Sequence, residues 1–365
     1  MKKLVSVILC FALVFLSVSL VGCNKTDKKT VEESSEKDGL KFGMNIHNSA
    51  YQSYPADDLE KNILACKDLG MDIVRYNQGS YTEEAIADIK RVSELCHKNG
   101  MKLMLVVDST DQYNLPLTSE EIEEIEQALF YNFSSALGDA VDIYQIFNEI
   151  DVHCIFGNEN SKFVSKPDGE KYDIEMWNCA FAAVKGALKG IEEGNPEAKT
   201  CINFAWWHTA FIYELYEDGV RWDITGLDWY EDNETASSVE ELMKDVEAHI
   251  PETEFMICET NYWMNLKDVY TEEQNNALKD AKTRDANQAK WVPEFVDKLI
   301  EINNPKLKAV IFYELMDEPA IEERDGIYNG EAHFGFIECD KDGQNRKEKP
   351  VYNKLKEKIA EIKAK

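Results

Sequence analysis

The sequence predicts an α/β fold, a single (β/α)8 TIM barrel. Eight short β-rich runs alternate with eight longer stretches of helical period from about residue 41 to residue 363. The β-rich runs are almost continuously apolar, which is typical of parallel strands covered by helices. A count of eight favours closure into a barrel. An open doubly wound sheet is the alternative, but no GxGxxG motif follows the first strand.

The chain begins with a segment that does not belong to the barrel. Lys2 and Lys3 precede an apolar run over residues 4–20, the pattern of a secretory signal peptide, which we assign to residues 1–22. The stretch "LVGC" at 20–23 resembles the bacterial lipobox, and this resemblance implies that Cys23 carries lipid. A signal peptide followed by an incidental cysteine is the alternative.

A charged segment connects this anchor to the barrel. Residues 23–39 contain almost no large apolar side chains, so they cannot bury enough surface to fold and are expected to form a disordered tether. The barrel domain is then expected to occupy residues 40–365. We expect a monomer at the extracellular face of the bacterial cell membrane, held to the membrane by its lipid anchor alone.

The predicted elements follow one another without interruption. The strands are KFGMNI (41–46), MDIVRY (71–76), KLMLVV (102–107), VDIYQIF (141–147), KTCINFA (199–205), DITGLDWY (223–230), EFMIC (254–258) and KAVIFY (308–313). The helices are 57–69, 82–98, 118–137, 172–194, 207–218, 237–249, 280–303 and 347–363. Each strand is therefore followed by one helix, as a (β/α)8 barrel requires.

Charge and cysteine usage exclude several classes of function. The net charge of −29 argues against nucleic acid and anionic membrane surfaces as partners, and a neutral or cationic partner fits better. Of nine cysteines, Cys10 leaves with the signal peptide and Cys23 is the anchor, so an odd number remains. With no CxxC, HxxxH or HExxH spacing, we predict no disulfide framework, no metal site and no cofactor.

Polar and aromatic side chains stand at the C-terminal end of every predicted strand. In a (β/α)8 barrel these ends and the loops after them build the active site. One polar residue at a strand end needs no function, but eight such ends indicate a shared pocket. In chain order they are Asn45, His47, Arg75, Asn77, Asp108, Asn148, Glu149, Asn203, Trp206, Trp207, His208, Asp228, Trp229, Tyr230, Glu259, Tyr313 and Glu314.

Two glutamates directly follow hydrophobic strands. Glu149 follows the fourth predicted strand and Glu259 the seventh, so their carboxyl groups are expected to face the same pocket. A retaining glycosidase places two carboxyl groups about 5–5.5 Å apart, one as acid and one as nucleophile. Their mutual repulsion helps to separate the two pKa values. A helix-capping carboxylate is the alternative for Glu149.

These residues resemble the clan A glycoside hydrolases, in particular members of families 5, 39 and 53. The signature is Asn148-Glu149 after strand four and a single Glu259 in "FMICETNYW" after strand seven. The resemblance implies that Glu149 is the acid/base, Glu259 the nucleophile, and Asn148 a ligand of the sugar 2-hydroxyl. It also implies that Arg75 and Tyr230 hold the nucleophile, although a structural ion pair is the alternative for Arg75.

The chain departs from many clan members at two strand ends. Tyr313 and Glu314 stand where a sugar-stacking tryptophan is common, and Asp228 stands where a histidine is common two residues before Tyr230. These departures leave the clan in place but leave the substrate open among mannan, xylan, glucan and galactan. Endo or exo action also stays open.

Further substrate-binding residues are expected around the pocket. Aromatic side chains can stack on the apolar faces of pyranose rings, and polar side chains can bind hydroxyl groups. The stacking candidates are Trp206, Trp207, Trp229, Trp263 and Tyr313, and the hydroxyl-binding candidates are Asn45, His47, His208 and Glu314. Aromatics at several strand ends predict an elongated groove with several sugar subsites.

Three other functions share parts of this sequence pattern. A solute-binding lipoprotein would show two α/β lobes, whereas this chain has one uninterrupted run of eight units. A non-catalytic glycan-binding barrel would not need both glutamates together with Asn148 and Arg75. Transglycosylation uses the same groups with a different acceptor and is not separated from hydrolysis by the sequence.

Overall fold

Eight parallel strands close into a barrel in the computed structural model of the chain. The structure describes residues 39–108, 116–155, 161–230, 236–262, 280–325 and 330–365. The predicted signal peptide, Cys23, nearly all of the tether and Trp263 lie outside the described residues. Gly39–Lys365 forms a compact unit. Within the described ranges, no helix combines the length and the apolar character needed to cross a membrane.

The barrel is built from eight of the described strands. In chain order the strands are β1 (Lys41–His47), β2 (Ile73–Gln78), β3 (Lys102–Val107), β4 (Ile143–Ile146), β5 (Phe163–Ser165), β6 (Lys171–Asp173), β7 (Lys199–Ala205), β8 (Ile224–Asp228), β9 (Glu254–Glu259), β10 (Leu307–Phe312), β11 (Ile337–Glu338) and β12 (Lys347–Glu348). The order around the barrel is β1-β2-β3-β4-β7-β8-β9-β10 and back to β1. Every pairing in it is parallel, which confirms the predicted fold.

Helices cover the outside of the barrel. The described helices are α1 (Leu59–Leu69), α2 (Glu83–Lys98), α3 (Ser119–Leu137), α4 (Ile150–Ile155), α5 (Ile174–Gly194), α6 (Ala210–Glu217), α7 (Ala236–His249), α8 (Ala281–Ile302), α9 (Pro319–Asp325) and α10 (Pro350–Lys363), with 3-10 turns at Ala56–Asp58, Gly138–Ala140 and Gly330–His333. The helix predicted over 207–218 begins later because the preceding residues form a turn in which Thr209 N donates to the carbonyl oxygen of Trp207.

The inward-facing rows of the barrel change from apolar to polar along several strands. Successive side chains of a strand alternate between the two faces. Ile73, Ile143, Cys201 and Ile224 belong to a separate buried apolar cluster inside the barrel. Two residues further along, β2 presents Arg75, and the corresponding positions of β4 and β7 are Gln145 and Asn203. The same alternation therefore supplies a core at one end and a polar site at the other.

Two outer helices pack unusually closely at glycine positions. A Cβ atom on Gly186 of α5 would lie 2.3 Å from the carbonyl oxygen of Glu123 on α3, and one on Gly190 would lie 2.4 Å from that of Gln127. Real Cβ contacts are never that short, so the two backbones approach only because both side chains are absent. This contact holds α5, the helix that follows the hairpin β5–β6, against α3.

Among the short elements after β4 and β10, helix α4, the hairpin β5–β6 and helix α9 were not predicted from the sequence. Helix α4 begins at the residue after Glu149, and the hairpin β5–β6 follows it. Helix α9 and the pair β11–β12 follow β10. Each of these elements has seven residues or fewer, which is too short to produce a clear period. They lie in segments that follow strand ends and therefore surround the predicted site.

Candidate active site

A cavity of about 900 Å³ opens at the C-terminal end of the barrel. This volume lies within the range of about 300–1,000 Å³ that is usual for ligand sites. Of the predicted site residues, those that line it are His47, Asn77, Asp108, Asn148, Glu149, Trp206, His208, Asp228, Tyr230, Glu259 and Tyr313. Both glutamates therefore face one cavity that is large enough for sugar rings.

Glu259 is the last residue of β9, and its carboxylate has two close partners. Arg75 Nη2 lies 2.8 Å from Oε1, and the Tyr230 hydroxyl donates to Oε2 at 2.8 Å. Burial and the neighbouring Glu259 charge raise the pKa of Tyr230 well above its ordinary value, so the phenol keeps the proton that it donates. Each carboxylate oxygen of Glu259 is therefore held by one donor.

Arg75 organises the floor of the site. Its Nε donates to Gln145 Oε1 at 2.8 Å, its Nη1 to Asn45 Oδ1 at 2.8 Å, and its Nη2 to Asn148 Oδ1 at 2.7 Å. The side chain is fully buried. Since these three partners are neutral, Glu259 is the group that balances the guanidinium charge at close range. Arg75 therefore fixes Asn148 and Glu259 relative to each other.

Glu149 has an environment opposite to that of Glu259. Burial, and then the charges of Glu259 and Asp151, raise the pKa of Glu149 to about 8, while Arg75 acts in the other direction. Its backbone has a positive φ of 44°, and that of Phe147 is 60°, a region that costs about 1–3 kcal/mol for ordinary residues. The Glu149 N–H donates to Asn203 Oδ1 at 3.2 Å, which holds this turn. At neutral pH Glu149 is mainly protonated.

Asp228 forms a third buried carboxyl group at the site. Asn203 Nδ2 donates to Asp228 Oδ2 and, at 3.1 Å, to Asn148 Oδ1. Burial, and then the charges of Glu259 and Glu149, raise the pKa of Asp228 well above its ordinary value. Its Oδ1 is buried without a hydrogen-bond partner. Burial and the neighbouring carboxyl groups thus shift Asp228 toward its protonated form.

His208 is oriented by an aspartate that sequence reasoning missed. Its Nδ1 lies 3.1 Å from Oδ2 of the fully buried Asp151, which also accepts a hydrogen bond from Ala205 N. Burial acts to lower the pKa of His208, but the hydrogen bond and charge of Asp151 outweigh it, and the pKa is raised overall. The contact with Asp151 therefore fixes the orientation of the His208 ring at the cavity.

His47 faces the cavity but is held from behind by two glutamates. Its Nε2 lies 3.0 Å from Glu314 Oε2 and 3.6 Å from Glu318 Oε1. Burial is the main cause that lowers the pKa of His47 to about 4 and raises that of Glu318 to about 8. Asn45 and Glu314 are themselves fully buried and lie beneath the cavity wall. Among the described residues, this is the cluster that could hold a metal ion.

The predicted aromatic platforms are only partly in the cavity. Trp206 lines it and stacks on the buried Trp229, with ring centroids 5.1 Å apart and planes 15° apart. Trp207 meets the edge of Trp229 at 6.3 Å and does not line the cavity. Tyr313 does line it. Trp263 lies outside the described residues, so Trp206 and Tyr313 are the described stacking surfaces.

Several residues of the site carried no recognised signal in the sequence. Gln145 is the polar residue inside an otherwise apolar strand, and this interruption could have indicated a buried partner. Asp151 and Glu318 lie beyond the strand ends in loop sequence, where acidic residues are common. Their role depends on which side chains lie next to them in the folded protein, and the spacing of residues along the chain does not show those neighbours.

Comparison with known proteins gives the same architecture and a family. The model of "Glycosyl hydrolase family 53" matches residues 76–333, which is more than two thirds of the chain. No curated protein sequence matches it. Among solved structures, the crystal structure of the β-glycosidase BGL167 is similar at 14% identity with a TM-score of 0.62, covering 88% of this chain and 96% of that one.

Two further solved structures have the same fold. The family 1 β-glucosidase from Thermotoga maritima in complex with isofagomine lactam is 12% identical, with a TM-score of 0.61 and coverage of 89% and 98%. The virulence factor SghA from Agrobacterium tumefaciens is 12% identical, with a TM-score of 0.59 and coverage of 88% and 96%. At these identities the likeness concerns the fold alone. With the family match, the chain belongs to glycosyl hydrolase family 53 and is a clan A glycoside hydrolase acting on O-glycosyl compounds.

Proposed function

We propose that the protein hydrolyses a polysaccharide or oligosaccharide with retention of anomeric configuration, using Glu259 as nucleophile and Glu149 as acid/base. The observation that carries this proposal is the unequal environment of two carboxyl groups in one cavity. Glu259 is paired with Arg75 and Tyr230, which suits an ionised nucleophile. Burial and neighbouring charges raise the pKa of Glu149 to about 8, which suits a proton donor.

In the first step, a Glu259 carboxylate oxygen bonds to the anomeric carbon as the bond to the leaving oxygen breaks. Glu149 donates its proton to that oxygen, so the leaving group departs as an alcohol. In the second step, Glu149 takes a proton from water, and the water oxygen displaces Glu259 from the same face. Two inversions restore the original configuration, and both glutamates return to their starting states.

The surrounding residues support positioning of the sugar. Asn148 is held by Arg75 and Asn203 through its Oδ1, so its amide nitrogen is the atom left to donate to a hydroxyl such as the 2-hydroxyl. Trp206 and Tyr313 line the cavity and offer apolar faces for sugar rings. This combination suits a chain of neutral sugars rather than a charged ligand.

The first test separates the proton donor from the nucleophile. Once a screen of polysaccharides and aryl glycosides has identified a substrate, Glu149→Gln is compared on poor and activated leaving groups. We expect a large loss on the poor leaving group and much activity on the activated one, because the latter departs without the proton. Azide should restore turnover and give a glycosyl azide of retained configuration. Glu217→Gln, at an exposed position, is the matched control.

The second test identifies the nucleophile and the stereochemistry. A 2-deoxy-2-fluoro glycoside matched to the substrate should label the protein within "FMICETNYW", and Glu259→Gln should lose both labelling and hydrolysis. Proton NMR of the first product should give the retained anomer. An inverted anomer, or labelling elsewhere, would refute the double displacement. If Glu149→Gln lost activity equally on both leaving groups, the result would instead assign Glu149 a structural role.

We also propose that Cys23 carries lipid and that the domain is displayed outside the cytoplasmic membrane. The support is "LVGC" at 20–23 followed by a charged segment. In a bacterial host, the protein should fractionate with membranes, and Cys23→Ser should lose lipid labelling and membrane partition. If Cys23→Ser partitioned with membranes as strongly as the wild type, this result would contradict the lipid anchor. Cys10→Ser is the matched control, since that residue leaves with the predicted signal peptide.

A further inference from the structure

Three side chains with metal-ligating atoms meet beneath the wall of the cavity. His47 comes from the end of β1, whereas Glu314 and Glu318 come from the segment between β10 and α9. Their ligand atoms all lie within 4.8 Å of one another. The three residues, which we call the His47 cluster, are 3%, 0% and 4% exposed. The mechanism proposed above does not use them.

The tautomer of His47 follows from its neighbours. Asn45 Oδ1 accepts from Arg75 Nη1, and a guanidinium can only donate, so the atom that Asn45 turns to His47 is its amide nitrogen. That nitrogen lies 3.1 Å from His47 Nε2 and must donate to it. In the metal-free protein Nε2 therefore carries no hydrogen and its lone pair accepts from Asn45; a metal ion would take that lone pair in place of this hydrogen bond.

Nε2 of His47 also lies close to two carboxyl groups. Glu314 Oε2 lies 3.0 Å away and Glu318 Oε1 lies 3.6 Å away. Oε1 of Glu318, like Oε1 of Glu314, is buried and makes no hydrogen bond within the described structure. Three electron-rich atoms thus converge where water is excluded, an arrangement that is unfavourable unless a proton or a metal cation lies between them.

No lysine or arginine in the described residues forms an ion pair with either carboxyl group. Other buried acids close by do have a basic partner. Asp317 pairs with Lys349 at 2.6 Å, and Glu259 pairs with Arg75. Arg324 influences Glu318 only at longer range. The Tyr54 hydroxyl donates to Glu314 Oε2 at 2.7 Å, which orients that carboxyl group without supplying charge.

We propose that the His47 cluster binds one first-row divalent cation, with zinc the best match. Zinc ligands lie about 2.0–2.2 Å from the metal, so the edges of a tetrahedral site measure roughly 3.4 Å. The two measured separations of 3.0 Å and 3.6 Å bracket this value. One imidazole and two carboxylates suit zinc, whereas calcium takes oxygen ligands alone. Tyr54 is the outer hydrogen-bond donor that such sites use to orient a carboxylate.

The bound cation connects parts of the barrel that are distant in sequence. It joins the end of β1 to the segment that follows β10, across the seam where the barrel closes. His47 also stacks on Tyr51, with ring centroids 3.9 Å apart, and both rings line the cavity. The cation therefore stabilises one wall of the cavity and takes no part in bond cleavage.

The test is titration of the purified full-length protein after dialysis against a chelator. Isothermal titration with zinc chloride should give one saturable equivalent, and calcium chloride should bind at least about tenfold more weakly because it disfavours the imidazole. Glu318→Gln keeps the shape of the ligand and removes its charge, so zinc affinity should fall at least about tenfold. Glu323→Gln, an exposed neighbour on α9, should bind like the wild type.

Thermal unfolding separates a lost ligand from a damaged fold. Zinc should raise the Tm of the wild type and of Glu323→Gln but not that of Glu318→Gln, whose metal-free Tm should be no lower than that of the metal-free wild type. Glu314→Gln serves as a second variant with the same expected loss. Absence of a saturable equivalent, calcium binding as tight as zinc binding, or undiminished zinc binding by both Gln variants would each overturn the proposal.

Discussion

Removing the hydroxyl of Tyr230 should slow the attack of Glu259 without changing the fold. Tyr230→Phe deletes one hydrogen bond, from the phenol to Glu259 Oε2 at 2.8 Å. Hydrogen bonds to charged groups contribute about 1.5–3 kcal/mol. If that contribution is needed in the transition state, kcat/KM should fall by about 10- to 150-fold, since each 1.36 kcal/mol is a factor of about ten.

The assay is steady-state hydrolysis of an activated aryl glycoside, for which proton donation by Glu149 is not limiting. Tyr213→Phe is the matched control, because its hydroxyl also donates to a carboxylate, Asp245 Oδ2 at 2.7 Å, but at an exposed site on α6. The control should keep wild-type kcat/KM. A folded Tyr230→Phe within about twofold of the wild type, less than 0.5 kcal/mol, would refute the assignment of Tyr230 as the group that positions the nucleophile.

Three further outcomes follow from the site and the fold. The kcat/KM for substrates with poor leaving groups should fall as pH rises through about 8, where Glu149 loses its proton, and Glu149→Gln should lack this limb. Asp228→Asn should keep the hydrogen bond from Asn203, while Asp228→Ala leaves one N–H of that amide without its partner at a cost of about 1–3 kcal/mol, although the other N–H still donates to Asn148. The kcat/KM of Asp228→Ala should therefore be about 5- to 150-fold lower than that of Asp228→Asn, and equal values would contradict a role for this hydrogen bond. By urea unfolding, Gly190→Ala should lose about 1–3 kcal/mol of stability through the clash with α3, whereas the exposed Glu192→Ala should change by less than about 0.5 kcal/mol.

The fold was accessible from the sequence because its signal is local and repeated. A parallel strand buried on both faces is a short apolar run, and eight such runs separated by helical stretches leave few alternatives. The apolar run "KLMLVV" coincides with β3 over Lys102–Val107. The short helix α4 was missed because six residues contain less than two turns, so no period can be recognised.

The contacts of the site depend on three-dimensional neighbours and could not be read from spacing. That Glu149 and Glu259 follow strands is visible in the sequence, and both line the cavity. Arg75 contacts both Asn45 and Gln145 because the register of β1, β2, β3 and β4 brings these residues together. The His47 cluster combines residues more than 260 positions apart, so a search for HxxxH or HExxH spacing was bound to pass over it.

The position of Arg75 couples the stability of the barrel to the chemistry at its mouth. A fully buried guanidinium always carries its charge, and its other close partners are neutral amides. Removing one partner of a buried ion pair costs about 3–5 kcal/mol, so loss of Glu259 would leave an unbalanced cation inside the barrel. Glu259→Gln is milder than Glu259→Ala because its amide oxygen can still accept from Arg75. The inward row that begins at Ile73 thus places a buried cation at the mouth of the barrel, and Glu259 at the end of β9 is the carboxyl group that pairs with it.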